Sequence, residues 1–148
     1  MRCAAYIRTA SKNHADYNLV NQTETIKDFI SERNWQLDTI YTDVGSGVHK
    51  NRSLQALIED CREGKYDVIV ITDLSRIFRT TEISNELINL YKTGKVHLVT
   101  TDDEINTFRD DINKITIYIN FCAWEFETMS RRIKAGKRSS IKQPPINN

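Results

Sequence analysis

Four arginines and a few hydroxyls are the residues of this chain best suited to chemistry. Arg8 ends the apolar run "CAAYIR", Arg76 and Arg79 stand three apart in "LSRIFR", and Arg52 opens "RSLQAL". A spacing of three puts Arg76 and Arg79 on one face of a helical turn. Guanidiniums brought together repel one another unless an anion joins them, and arginine offers planar, paired donors with a permanent charge. Such a cluster, without a matching set of acids, points to a phosphate or a phosphodiester. A hydroxyl beside it could attack phosphorus while the arginines hold the non-bridging oxygens and stabilise the transition-state charge. Ser11, Thr9 and Ser46 are the candidates. Ser46 sits in "DVGSG", a turn whose glycines permit close backbone approach. That turn is not a Walker loop, because Lys and Ser/Thr do not follow at the required spacing, and the dinucleotide fingerprint is absent. Cys3, Cys61 and Cys122 are scattered, as are His14, His49 and His97, so no metal site is expected.

The elements that would position these residues can be read from hydropathy. Cys3 to Arg8, Leu37 to Asp43, Asp67 to Asp73 and Val96 to Thr101 are short apolar, β-branched runs. The third is apolar on both faces, as a central strand of a covered parallel sheet should be. Helical patterns lie between them, the second stopped at Gly64 and the third at Gly94. The order βαβαβαβ predicts an α/β fold, a mostly parallel four- to five-stranded sheet flanked by helices. Ligands of such sheets lie beyond the carboxyl ends of the strands. Those ends carry Arg8 to Ser11, Asp43 to Gly47 and Asp73 to Arg79.

From Asp110 to Ala135 no Pro or Gly interrupts the chain. Ile112, Ile115, Ile119, Cys122, Phe126, Met129 and Ile133 recur at three- and four-residue steps, with Ile117, Phe121 and Trp124 beside them. The pattern predicts a helix of about 35 to 40 Å with a heptad-like stripe. So broad an apolar face exceeds the need of one small domain. Ile115, Ile119, Cys122, Phe126 and Met129 are therefore expected at an interface with a second subunit. The division expected is a core over 1–108, an oligomerisation helix over 109–137, and a basic or polar tail or linker stub over 138–148.

At 148 residues and 39% hydrophobic composition, the chain has the size of one domain with one sizeable core. Its net charge of +1 does not itself advertise nucleic acid, but "RRIKAGKRSSIK" holds six basic residues and no acid. Such a segment points to an anionic partner. The absence of a long apolar stretch and the dispersed cysteines predict an intracellular, cytoplasmic protein without a membrane span.

"YIRTAS", "NQTETI", "YTDVGSG", "NRSLQALIEDCREGKYDVIVITDLSRIFR" and "AWEFETMSRRIKAG" together resemble, in order, the motifs of the serine recombinase (resolvase/invertase) catalytic domain, from Arg2 to about Arg138. The resemblance implies site-specific recombination of double-stranded DNA. A serine attacks a phosphodiester, forms a 5′-phosphoserine link and releases a 3′-hydroxyl, with no metal or nucleotide cofactor. It implies homodimers that assemble into a tetramer. Carried over by residue, it makes Arg8, Gln22, Asp43, Arg52, Arg76 and Arg79 catalytic, with Ser46, Asp73 and Glu125 supporting. The basic residues Arg131, Arg132, Lys134, Lys137 and Arg138 would follow DNA. The family's Tyr-x-Arg-x-Ser run would put its serine at position 10, where this chain has Ala10 and then Ser11. Ser11 is therefore the expected nucleophile. Ala10 also motivates an alternative, a recombinase-like DNA-binding or assembly module without chemistry. The aspartate usual before the first paired arginine is replaced by Ser75, with Asp73 the nearest acid.

Overall fold

The computed structural model describes residues 1–10, 13–45 and 51–142. Four strands, β1 (Arg2–Thr9), β2 (Gln36–Val44), β3 (Val68–Ile71) and β4 (His97–Thr100), form one sheet in the order β2-β1-β3-β4. Every pairing within it is parallel. The helices are α1 (Ala15–Glu32), α2 (Arg52–Arg62), α3 (Thr81–Lys92) and α4 (Ile112–Lys142), with a 3-10 turn at Leu74–Arg76. This is the α/β architecture with a long final helix that the hydropathy pattern implies.

Period-two alternation along β1 divides the core. Cys3, Ala5 and Ile7 pack with Ile26 and Ile30 of α1, whereas Ala4 and Tyr6 pack with Leu54, Leu57 and Ile58 of α2. All four residues of β3 are fully buried, which is why that run is apolar on both faces. The α2 and α3 helices stop where the chain turns left-handed, at Gly64 (φ +76°) and Gly94 (φ +72°). Since β1 leads to β2 on one side and lies beside β3 on the other, the connections part between β1 and β3. The crevice of a doubly wound sheet opens at that point.

α4 is 31 residues long, about 46 Å at 1.5 Å per residue. It runs on past Gly136, where the apolar pattern stops, into the segment expected as a tail. One exposed glycine costs a helix only about 1 kcal/mol, so it need not end one. Along its first half, Ile115, Ile119 and Ala123 are each 1% exposed, and Ile115 and Ile119 join the core beside α2 and α3. Ile115 and Ile119 are thus not available to a second subunit, contrary to the reading of the stripe. Periodicity shows that a face is covered and does not show by what. The apolar residues left exposed are Ile117, Tyr118, Phe121, Trp124, Met129 and Ile133, with Phe121 and Trp124 stacked at 6.0 Å.

An aromatic group closes the amino ends of the strands. His97 stacks on Phe108 at 3.8 Å, and Trp35 lies 5.9 Å from Phe108. Thr107 Oγ1 accepts the Leu98 N–H at 2.9 Å and lies 2.9 Å from His97 Nδ1. Thr107 thus ties the His97 ring to the backbone of β4.

Candidate active site

β1 delivers Arg8 to the carboxyl edge of the sheet on the α2 side, in register with Asp43 of β2. Arg8 is only 2% exposed. Its Nη2 donates to the Gly45 carbonyl at 3.0 Å and its Nη1 donates to Asn51 Oδ1. One guanidinium therefore ties together the two ends of the segment that carries Ser46. Ser11, Ser46 and Gly47 lie outside the described residues.

Gln22 pairs with the last peptides of β1 as a neighbouring strand would. Its Nε2 donates to the Arg8 carbonyl at 2.8 Å and its Oε1 accepts the Arg8 N–H at 3.2 Å. Arg76 Nη1 donates to the same carbonyl at 3.1 Å. This one oxygen fixes both α1 and the turn after β3 to the strand end that leads to Ser11. Arg76 Nε in turn bonds Asp73 Oδ2 at 3.2 Å, and Asp73 Oδ1 accepts the Ser75 N–H at 3.1 Å. Asp73 rather than position 75 thus provides the carboxylate beside the paired arginines, because the 3-10 turn returns the chain onto its own N-cap.

Arg79 completes the group. Its Nε donates to the Ser75 carbonyl at 3.1 Å, and its guanidinium carbon lies 4.7 Å from the centre of the Phe126 ring. Burial first, then the charges of Arg8 and Arg76, lower its pKa from the ordinary arginine value. Arg76 reaches the Arg8 carbonyl and Arg79 the Ser75 carbonyl, so the turn after β3 brings both paired arginines to the strand end that carries Arg8.

Asp43 turns inward. It is 6% exposed and accepts the Tyr6 hydroxyl at 2.9 Å together with the Ser53 and Leu54 N–H groups, each at 3.1 Å. A strand residue thus caps α2 from outside the helix and so sets its first residue, Arg52, which is exposed. Burial raises the pKa of Tyr6, in keeping with a neutral donor.

A resolvase N-terminal domain model matches residues 3–143, nearly the whole chain. The protein belongs to that family, the serine recombinase catalytic domains. The Tn1546 transposon resolvase of Enterococcus faecium is 34% identical over 104 residues, 70% of this chain and 49% of that protein. The chain thus spans about half the length of this curated relative. A resolvase-family site-specific recombinase from Streptococcus pneumoniae superposes with a TM-score of 0.69 at 19% identity, covering 97% of this chain and 99% of that one. The N-terminal catalytic domain of TP901-1 integrase gives 0.67 at 17% identity, covering 90% and 99%. At these identities the two structures establish the shared fold.

In this resolvase-family domain Arg8, Gln22, Asp43, Asp73, Arg76 and Arg79 come together around the carboxyl ends of β1 and β3. Glu125, exposed on α4, lines a groove of about 280 Å³ together with Asp73 and Glu104. Arg131, Arg132, Lys134, Lys137 and Arg138 are all exposed along α4. A second groove, of about 330 Å³, joins Arg79 to Arg131 and Lys134. Among the described residues no His, Cys, Asp or Glu side chains group to hold a metal ion, and no helix is long and apolar enough to cross a membrane. Sequence reasoning passed over Tyr6, Asn51 and Glu127. Tyr6 and Asn51 each neighbour a recognised residue, but only the fold reveals which polar atom each one meets.

Proposed function

We propose that this chain is the catalytic domain of a site-specific recombinase that cuts and rejoins double-stranded DNA through Ser11. The observation that carries the reading is the convergence of Arg8, Arg76 and Arg79 at the strand end two residues before Ser11. In the proposed reaction the Ser11 oxygen attacks phosphorus, the bond to the 3′-oxygen breaks, and that oxygen leaves as a 3′-hydroxyl after taking up a proton. The phosphate stays on the 5′ end as a phosphoserine ester. Attack by another strand's 3′-hydroxyl restores a phosphodiester and frees the serine, so the energy of the bond is kept and ligation needs no nucleotide.

Arg76 and Arg79 would neutralise the non-bridging oxygens, and they need no proton transfer to do so. Arg8 adds charge and holds the Gly45–Asn51 segment with Ser46. Gln22 and Asp73 position Arg8 and Arg76. Asp43 orients α2 and with it Arg52. DNA would pass from Arg79 along the groove towards Arg131, Lys134 and the other basic residues of α4. The exposed residues Phe121, Trp124 and Met129 with half-buried Phe126, rather than Ile115 and Ile119, would meet a second copy in a dimer and then a tetramer. In this scheme the chain divides into a core over 1–108, an oligomerisation helix from 109, and a basic segment leading towards DNA.

The test is Ser11→Ala in the full-length protein with its recombination-site DNA. Covalent protein–DNA complexes form in the wild type and vanish in the variant. Their persistence in the variant would dismiss Ser11. Their absence from the wild type would favour the non-catalytic module that Ala10 suggests.

A further inference from the structure

We infer that Phe126 is a positioning residue for the Arg79 guanidinium, so that α4 sets the geometry of the phosphate clamp as well as a subunit contact. The inference rests on the proposed role of Arg79. Phe126 belongs to the stripe read from sequence as an interface, yet its ring faces Arg79 at 4.7 Å. The next residue, Glu127, reaches the same segment. Its Oε1 accepts the Thr81 N–H at 2.9 Å and the Thr81 hydroxyl at 3.2 Å, at the start of α3. Two successive α4 residues thus grip the link between the 3-10 turn and α3, one by its ring and the other by its carboxylate.

Arg79 needs such a support. Its Nε is spent on the Ser75 carbonyl, while Arg8 and Arg76 repel it and burial strips its hydration. Asp73 is engaged by Arg76 at 3.2 Å, and among the described residues no carboxylate bonds Arg79. An aromatic face attracts a cation without competing for its in-plane N–H groups, and so leaves them for phosphate oxygens. A carboxylate in its place would hold the guanidinium more strongly and occupy those donors.

The experiment follows the Arg79 Nε–H resonance of this chain by NMR, assigned through Arg79→Lys, while inorganic phosphate is added. Without phosphate the resonance lies upfield of its position in an unstructured chain, because the ring shields it, as the Phe29 ring at 3.4 Å shields Arg33. Phe126→Tyr keeps that shift and Phe126→Leu abolishes it. Glu127→Gln, which loosens α4 without removing the ring, retains most of it. Phosphate then binds about three- to tenfold more weakly to Phe126→Leu than to wild type, the range set by an ordinary cation–π contact. An unshifted resonance in the wild type overturns the inference, as does a Phe126→Leu protein with wild-type phosphate affinity. If the shift is present but phosphate moves no arginine resonance in the wild type, the clamp reading fails while the ring contact stands, and the positioning role is overturned with the clamp. Should Phe126→Leu not fold, the comparison of wild type with Phe126→Tyr and Glu127→Gln decides. Loss of the shift in either variant with phosphate affinity unchanged from wild type would overturn it.

Discussion

Removing the Asp43 carboxylate should show that this residue acts as a cap and anchor. Asp43→Ala deletes three accepted hydrogen bonds, from the Tyr6 hydroxyl and from the Ser53 and Leu54 N–H groups. Loss of a helix cap costs about 1 kcal/mol. The Tyr6 side chain is fully buried, so stranding its hydroxyl adds about 1–3 kcal/mol. The expected total is about 2–4 kcal/mol, read as a lower urea midpoint at unchanged slope. Tyr6→Phe removes the hydroxyl that would be stranded. In the double variant the losses therefore fall short of additive, by about 1 kcal/mol or more. Asp43→Asn keeps one acceptor but turns an amide N–H₂ towards donors, and its loss falls between wild type and Asp43→Ala. An Asp43→Ala protein within about 0.5 kcal/mol of wild type, or strict additivity with Tyr6→Phe, would mean that Asp43 neither caps α2 nor anchors Tyr6.

Two further outcomes are expected. Burial lowers the His97 pKa, opposed by the nearby Asp67 charge, so the fold favours the neutral ring. The stability this gives is complete above the unfolded value of about 6.5 and is lost as pH falls below it. The urea midpoint of wild type should therefore drop more between pH 7.5 and 5 than that of His97→Gln, and parallel profiles would contradict this. On α4, Ile115→Ala should cost about 2–4 kcal/mol of monomer stability, as a fully buried side chain does. Met129→Ala, at a site 55% exposed, should leave monomer stability within about 0.5 kcal/mol of wild type and weaken self-association in sedimentation. The reverse ranking would place the subunit contact on the wrong part of the helix.

The sheet was legible because its signal is local. The two-faced apolarity of β3, the glycines after α2 and α3, and the uninterrupted run of α4 each follow from residues close in sequence. The arginines were legible as a set, since position at strand ends and like charge already imply an anion. Their supports were not. Asp43 reads as a turn residue until β2 and α2 are seen to meet. Nothing in the spacing of Gln22 says that it pairs with the backbone of Arg8. The stripe of α4 misled for a related reason. One periodicity serves three surroundings, the core at Ile115 and Ile119, Arg79 at Phe126, and solvent at Met129.

The central claim is that a serine next to the arginine cluster becomes bonded to DNA. The direct measurement is mass spectrometry of the covalent adduct, trapped from the full-length protein with its recombination-site DNA and digested with protease and nuclease. A 5′-phosphonucleotide on Ser11 is expected. A nucleotide on Thr9 or Ser46, or one joined through its 3′ end, would contradict it.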